Sequence, residues 1–371
     1  MDFVKRGYQV IMKKAMSLII AIILAASCLA ACGSAEGRSG GDAASGTGGS
    51  STEDAGKLRI VTTIFPEYDW MLNVLGDNSG GADVTLLLAN GVDLHSFQPS
   101  AADILKISAC DLFIYVGGES DRWVADALQE AVNQDMIVIN LLEILGDAAK
   151  EEEVVEGMQD DKHEHGDEDG EHEGDGKHEH GDDGQEGGPE DAPEYDEHVW
   201  LSLRNAVLYV DSFTAALQQL DPDNAAEYRR NADAYIEKLS ALDAEYQTAV
   251  DNARVSTVLF GDRFPFRYLT DDYGLTYYAA FAGCSAETEA SFETITFLSR
   301  KVDELGLRAV MTIEGKDHRI AETIVQNTQA KDQQILTMDS MQATTLKDMA
   351  NGTTYLSIMG SNLAVLQEAL R

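Results

Sequence analysis

The run Leu220–Ala253, "LDPDNAAEYRRNADAYIEKLSALDAEYQTAVDNA", decides how the rest of the chain is read. It opens with a helix-start signal at Asp221-Pro222 and continues for about thirty residues without another glycine or proline. At a rise of 1.5 Å per residue this is about 40 Å of helix, long enough to cross a whole domain. Before it, "LRIVTTI" is followed by "PEYDWMLNVLG" and "ADVTLLLA" by "SAADILKISA", and then come "DLFIYVG", "SDRWVADALQEAV" and "MIVIN". After it come "VSTVLF", a helix near 264–272, "LTYYAAF", a helix over 291–305, "RAVMTI", a helix over 318–329, "QQILTM" and a final helix near 353–370. Short continuous apolar runs separated by helical periods predict buried parallel strands with crossover helices. The expected fold class is therefore α/β. Two lobes, each with a central, mainly parallel sheet flanked by helices, are joined by one long helix, with a cleft between them.

The 371 residues divide on this reading into an N-terminal lobe over 57–203, a helical region over 204–252 and a C-terminal lobe over 253–371. The N-terminal lobe is interrupted at about 147–195 by an acidic, His- and Gly-rich insertion. From Glu151 to Glu197 there are 22 acidic residues against two lysines, so this segment holds −20 of the chain's net charge of −38. With so little apolar content the insertion is expected to stay disordered. The acidity argues against nucleic acid, whose phosphates it would repel, and suits a cation.

Residues 1–32 read as an export address. Lys13 and Lys14 precede "AMSLIIAIILAAS", a run too short and wrongly flanked for an ordinary spanning helix, and it ends in Leu29-Ala30-Ala31-Cys32 followed by Gly33. This resembles a bacterial lipoprotein signal with Cys32 as the lipidated residue. Residues 33–56, rich in Gly and Ser, form a flexible tether. Of the four cysteines, Cys110 and Cys284 fall in the two lobes and are read as buried small apolar residues rather than a disulfide framework.

In open parallel sheets ligands collect beyond the carboxyl ends of the strands. His95 in "NGVDLHSFQPS" follows the second strand, Asp262 follows "STVLF" and Gly261, Asp339 follows "QILTM", and His198 in "YDEHVWLSL" lies where the chain re-enters the fold. Imidazole and carboxylate at such places suit Zn²⁺ or Mn²⁺.

The same stretches resemble the solute-binding lipoproteins of bacterial zinc and manganese ABC importers, from about residue 58 to the C-terminus apart from the insertion. "GVDLHSFQPSAADI" is similar to the family's Gly-x-Asp-x-His-x-aromatic-x-Pro motif and implies a metal ligand at His95. "DEHVWLSLRNA" is similar to its His-x-Trp-Leu-Asp-Pro motif and implies a ligand at His198, with Ser202 and Leu203 replacing the usual Asp-Pro as a packing change. "ILTMDSM" followed by "GTTYLSIMGSNL" implies Asp339, and "CSAETEASFETI" implies a cleft-shaping role for Glu289. The family's remaining ligand falls between Val258 and Tyr273, where this chain has no histidine. Alignment on "FRYL" without a gap puts Arg263 there; one inserted residue puts Asp262 there, and Asp262 is the reading taken. The alternative is a site completed by water, with Arg263 paired to a carboxylate.

His163, His165, His172, His178 and His180 lie in the insertion and imply an accessory, low-affinity metal trap. In an extended chain the i, i+2 spacing of His163/His165 and His178/His180 aims both imidazoles to one side. The resemblance implies a monomeric, membrane-anchored extracytoplasmic receptor, not an enzyme, that delivers zinc to an ABC permease and does not bind nucleic acid. Manganese is the alternative cargo, a zinc-dependent hydrolase the rival activity, and a surface adhesin on the same fold a further reading. No His-Glu-x-x-His helix or nucleophile elbow supports the hydrolase.

Overall fold

A computed structural model describes residues 56–159, 194–285, 289–315 and 317–371. The expected lipoprotein signal, Cys32, most of the tether and the five insertion histidines lie outside the described residues. No described helix is long and apolar enough to cross a membrane.

The first lobe runs β1 (Leu58–Thr62), α1 (Phe65–Leu75), β2 (Ala82–Leu86), α2 (Ala101–Ala109), β3 (Leu112–Tyr115), α3 (Trp123–Gln129), β4 (Ile137–Asn140) and α4 (Leu141–Leu145). Two antiparallel helices follow, α5 (Leu203–Leu220) and the long α6 (Ala225–Asp251). The second lobe runs β5 (Thr257–Phe264), α7 (Arg267–Tyr273), β6 (Thr276–Ala282), α8 (Phe292–Leu305), β7 (Ala309–Ile313), α9 (Arg319–Asn327), β8 (Gln334–Met338), α10 (Leu346–Ala350) and α11 (Tyr355–Ala369). Both sheets are parallel, in the orders β2-β1-β3-β4 and β6-β5-β7-β8. These are the same order counted from each lobe's first strand, so the shared rhythm of the two halves is a shared topology. In each sheet the chain reverses direction of travel at the first strand, which leaves a crevice at the carboxyl ends.

The long helix couples the lobes. Tyr228, Ala232, Tyr235, Leu239 and Tyr246 form its buried stripe, at offsets that keep one face inward. Tyr235 donates its hydroxyl to Asp69 of α1 at 3.1 Å, and Tyr246 donates to the carbonyl of Met359 in α11 at 2.7 Å. One apolar cluster accordingly runs through both lobes, from Ile60 and Trp70 through Tyr235 and Tyr246 to Phe260, Met311 and Leu363. Trp200 closes the seam: its indole N–H donates to Ser340 O at 2.9 Å and its carbonyl accepts from Tyr355 at 2.7 Å. Ser202 caps α5 by accepting from Asn205 N at 3.0 Å.

The expected insertion, 147–195, is corrected at both ends. Residues 149–159 lie along the second lobe and meet the returning chain through an isolated antiparallel Glu151–Tyr195 bridge. Gln159 N donates to Ala280 O at 3.0 Å, adding to β6, the edge strand of its sheet. An edge strand offers unpaired backbone groups, and Ala149 and Met158 add apolar contacts to the core, so these flanks order despite their charge.

Glu67 in the first turn of α1 is fully buried. Its Oε2 accepts from Thr63 N at 2.8 Å, Ile64 N at 3.3 Å and the Thr63 hydroxyl at 3.1 Å, while Oε1 has no partner among the described residues. Burial pushes its carboxyl from 4.5 up to about 8, against the pull of these hydrogen bonds. The folded state thus keeps a proton that the unfolded chain releases. Its contribution is full below the unfolded value of 4.5 and is lost as the pH rises to about 8. Glu67→Gln is expected to flatten the fall in stability across that window and to exceed the parent in stability at its upper end. Urea unfolding as a function of pH reads both, and an unchanged slope would contradict this account.

Candidate metal centre

His95 sits in a 3₁₀ turn, Leu94–Ser96, which Asp93 starts by accepting from His95 N at 3.0 Å. His198 precedes another 3₁₀ turn, Val199–Leu201, and is fully buried. The fold brings the two imidazoles edge to face, with Nε2 atoms 3.3 Å apart. Two nitrogens bound tetrahedrally to one zinc at about 2.0–2.1 Å stand about 3.3 Å apart, so the spacing fits a shared cation.

Each Nδ1 is already committed. His198 Nδ1 lies 2.9 Å from Asp196 Oδ1, the same oxygen that accepts His198 N at 2.9 Å. His95 Nδ1 lies 2.8 Å from the Ser120 hydroxyl and 3.3 Å from Glu197 Oε2. With the ring protons on the Nδ1 atoms, both Nε2 lone pairs face one point, the arrangement that outer carboxylates impose on metal-binding histidines. Burial would raise Glu197, but hydrogen bonds from His95 and from the hydroxyl and N–H of Ser120 hold it below the usual range for Glu. The buried, ionised carboxylate is a standing negative charge beside the two rings, favourable to a cation.

Two glycines permit this packing. A Cβ at Gly118, whose φ is +83°, would lie 2.4 Å from Glu197 Oε1. A Cβ at Gly283 would lie 3.0 Å from the His198 ring and 2.9 Å from Phe264 O. Between the two flanks of the insertion, a cavity of about 330 Å³ opens beside His95 and Cys284, walled by Glu119, Glu152, Glu194 and Glu197.

Cys284, which the sequence reading treats as a packing residue, joins His95 and His198: one donor atom from each lies within 4.8 Å of the others. Its signal was positional, because it follows β6 just beyond the carboxyl end. The thiol is pushed up by burial and by Glu152, Asp196 and Glu197. Asp196 and Glu197 were also passed over, although they immediately precede His198 in "DEH".

Asp262 and Asp339 are not in this group. β5 carries a bulge between Phe260 and Arg263, so one residue is extra there relative to β6. The Asp262 carboxylate accepts from Arg263 N at 2.9 Å and Ile313 N at 3.4 Å, and with Glu289 it lines a second cavity of about 660 Å³. The Arg263 guanidinium donates to Asp93 Oδ2 at 2.8 Å, and this pairing holds Asp93 below the usual range although burial would raise it. Asp339 accepts from Met341 N at 2.7 Å and receives Asn362 on its backbone; burial and the nearby Glu314 push its carboxyl up to about 6.

Zinc-binding protein AdcA of Streptococcus pyogenes serotype M18 is 28% identical over 316 residues, 84% of this chain but 56% of that protein. The chain thus spans about half the length of the AdcA proteins it matches. High-affinity zinc uptake system protein ZnuA of Bacillus subtilis is 30% identical over 326 residues, 88% of this chain and 92% of that one. Among solved structures, the Zn(II)-bound ZnuA-like domain of Streptococcus pneumoniae AdcA covers 85% of this chain and 99% of its own, at 27% identity and a TM-score of 0.62. The lipoprotein YcdH of Bacillus subtilis, at 25% identity and a TM-score of 0.63, covers the same shares. The family described as ZnuA, zinc-uptake complex component A periplasmic, matches residues 60–369, from the first strand of one lobe to the last helix of the other. With both lobes inside that match, the chain belongs to the ZnuA family.

Proposed function

We propose that this protein is an extracytoplasmic receptor that binds zinc between its lobes and delivers it to an ABC permease. The observation that carries the reading is the pair of Nε2 atoms 3.3 Å apart, with the Nδ1 atoms held by the Ser120 hydroxyl and the Asp196 carboxylate. Family membership and zinc-named relatives support the cargo, and the family's place in uptake complexes supports the permease partner. A lipid anchor at Cys32 agrees with a relative named zinc-binding lipoprotein AdcA from Streptococcus pneumoniae.

The chain's own groups account for capture. Glu197 and Asp196 orient the imidazoles before the ion arrives, so little side-chain ordering is left for binding. The carboxylates around the cavity raise the local concentration of cations at its mouth. Zinc is a borderline-soft ion well served by imidazole, whereas manganese favours a set richer in oxygen. The shared core and the Tyr235 and Tyr246 anchors resist wide opening of the lobes, so release proceeds by small lobe shifts or by loop movement on docking.

Calorimetric titration with zinc, backed by metal content from mass spectrometry, tests this directly. Wild type is expected to show one tight site per chain that His95→Ala abolishes and that deletion of residues 160–193 leaves in place. Retention of tight stoichiometric zinc by His95→Ala would sink the reading, and much tighter binding after the deletion would remove the trap role of the insertion histidines.

The outer carboxylate gives a second, graded outcome. Asp196→Asn keeps the shape but removes the charge that orients His198, and zinc affinity is expected to fall roughly 10–100-fold. A competition assay against a chelator of known affinity measures it.

A further inference from the structure

The geometry assigns Cys284 as a thiolate ligand of the cargo ion, which makes the centre a two-histidine, one-cysteine site for borderline and soft cations. This rests on the metal-receptor reading above and adds the donor that sets its selectivity.

Four observations meet here. First, Cys284 offers its sulfur within 4.8 Å of donor atoms from both His95 and His198, the one such group among the described residues. A tetrahedral zinc with Zn–N of about 2.0–2.1 Å and Zn–S of about 2.3 Å holds sulfur and nitrogen about 3.6 Å apart, so a small inward movement completes the set. Second, both residues that the family resemblance allows for another ligand are engaged elsewhere: the Asp262 carboxylate accepts from Arg263 N and Ile313 N, and the Arg263 guanidinium donates to Asp93 at 2.8 Å. Neither joins the histidines, so a further donor has to come from elsewhere.

Third, the loop that carries Cys284 is fixed from two sides. Gly283 presses on the His198 ring so closely that a Cβ would stand 3.0 Å from it, and Cys284 N donates to Glu152 Oε1 at 3.0 Å. Glu152 belongs to the ordered flank of the insertion, so the segment that breaks the first lobe helps to set the donor on the second. Fourth, the sulfur is in no disulfide, and its thiol lies against the Glu152 carboxylate and the Glu197 backbone, on the side of the histidines. Both lobe cysteines are free thiols, and Cys110 sits in a separate apolar cluster with Val61, Phe113 and Val124, donating to Ile107 O at 3.1 Å. On binding, the S–H proton of Cys284 passes to solvent as the sulfur lone pair forms the bond to the ion, with no change of oxidation state.

A thiolate favours zinc, cobalt and cadmium over manganese, since soft donors select the softer ions. Cobalt(II) makes the donor visible, because a thiolate bound to it gives an intense near-ultraviolet charge-transfer band that imidazole and carboxylate do not. The experiment is titration of the full chain with cobalt(II) alone, comparing wild type, Cys284→Ser, Cys110→Ser and His95→Ala. Wild type and Cys110→Ser are expected to develop the band to one equivalent. Cys284→Ser should lack it and bind zinc more than about a hundredfold more weakly, a larger loss than an outer carboxylate causes.

Cobalt bound to wild type with visible ligand-field bands but no charge-transfer band would overturn the thiolate and leave the receptor reading standing. Persistence of the band in Cys284→Ser would do the same. Unchanged cobalt and zinc binding by His95→Ala would overturn the receptor site, and the thiolate with it. A measurement on the unmutated protein guards against a misfolded variant: saturating zinc is expected to slow alkylation of Cys284 several-fold, read by peptide mass spectrometry. Equal labelling with and without zinc would overturn the assignment.

Discussion

Two consecutive buried carboxylates, Asp196 and Glu197, orient two imidazoles that are 103 residues apart in sequence. Asp196 turns back on its own turn and takes both the N–H and the Nδ1 of His198, while Glu197 reaches to the Ser120 N–H and the ring of His95. Charges removed from water are costly unless paired, and here their partners are neutral or shared donors rather than a full cation. The negative charge left over is what makes the place attractive to a divalent ion. Gly118 and Gly283 exist at their positions because the carboxylate and the ring come too close for any side chain.

That arrangement holds only if the two lobes keep their distance. His95 comes from the first lobe and Cys284 from the second, so an error of an ångström between lobes would separate the donors. The fold meets this with a core common to both lobes, a 27-residue helix anchored at Asp69 on one side and Met359 on the other, and the Trp200 seam. Stiffness of this kind favours a preorganised site over a hinged trap. It also explains why the Arg263–Asp93 pair sits across the lobes near the site: the guanidinium that supplies no ligand supplies a strut.

The acidic insertion is tied more closely to the site than its composition implies. Its flanks lie on the second lobe, wall the cavity with Glu152 and Glu194, and hold the backbone of Cys284. The carboxylates that make the segment hydrophilic therefore also set the electrostatic approach to the histidines.

The architecture was legible in the chain because it depends on local pattern. Apolar runs such as "DLFIYVG" and "RAVMTI" form buried strands, Asp221-Pro222 starts the long helix, and His95 and His198 stand in motifs at strand ends and loop returns. The shared strand order, the ordered insertion flanks and the approach of Cys284 to the two histidines were not legible. Asp262 was expected just after its strand, yet β5 runs on through it to Phe264, and the bulge there spends its carboxylate on backbone N–H groups and sends Arg263 to Asp93. Cys284 reads as one more small apolar residue until β6 and the Glu152 flank bring it to His198, 86 positions earlier in the chain. Periodicity and burial are properties of neighbouring residues, and the sequence by itself determined them. Which donor atoms come within reach of one another depends on distances across two lobes, and only the packing of those lobes decided that.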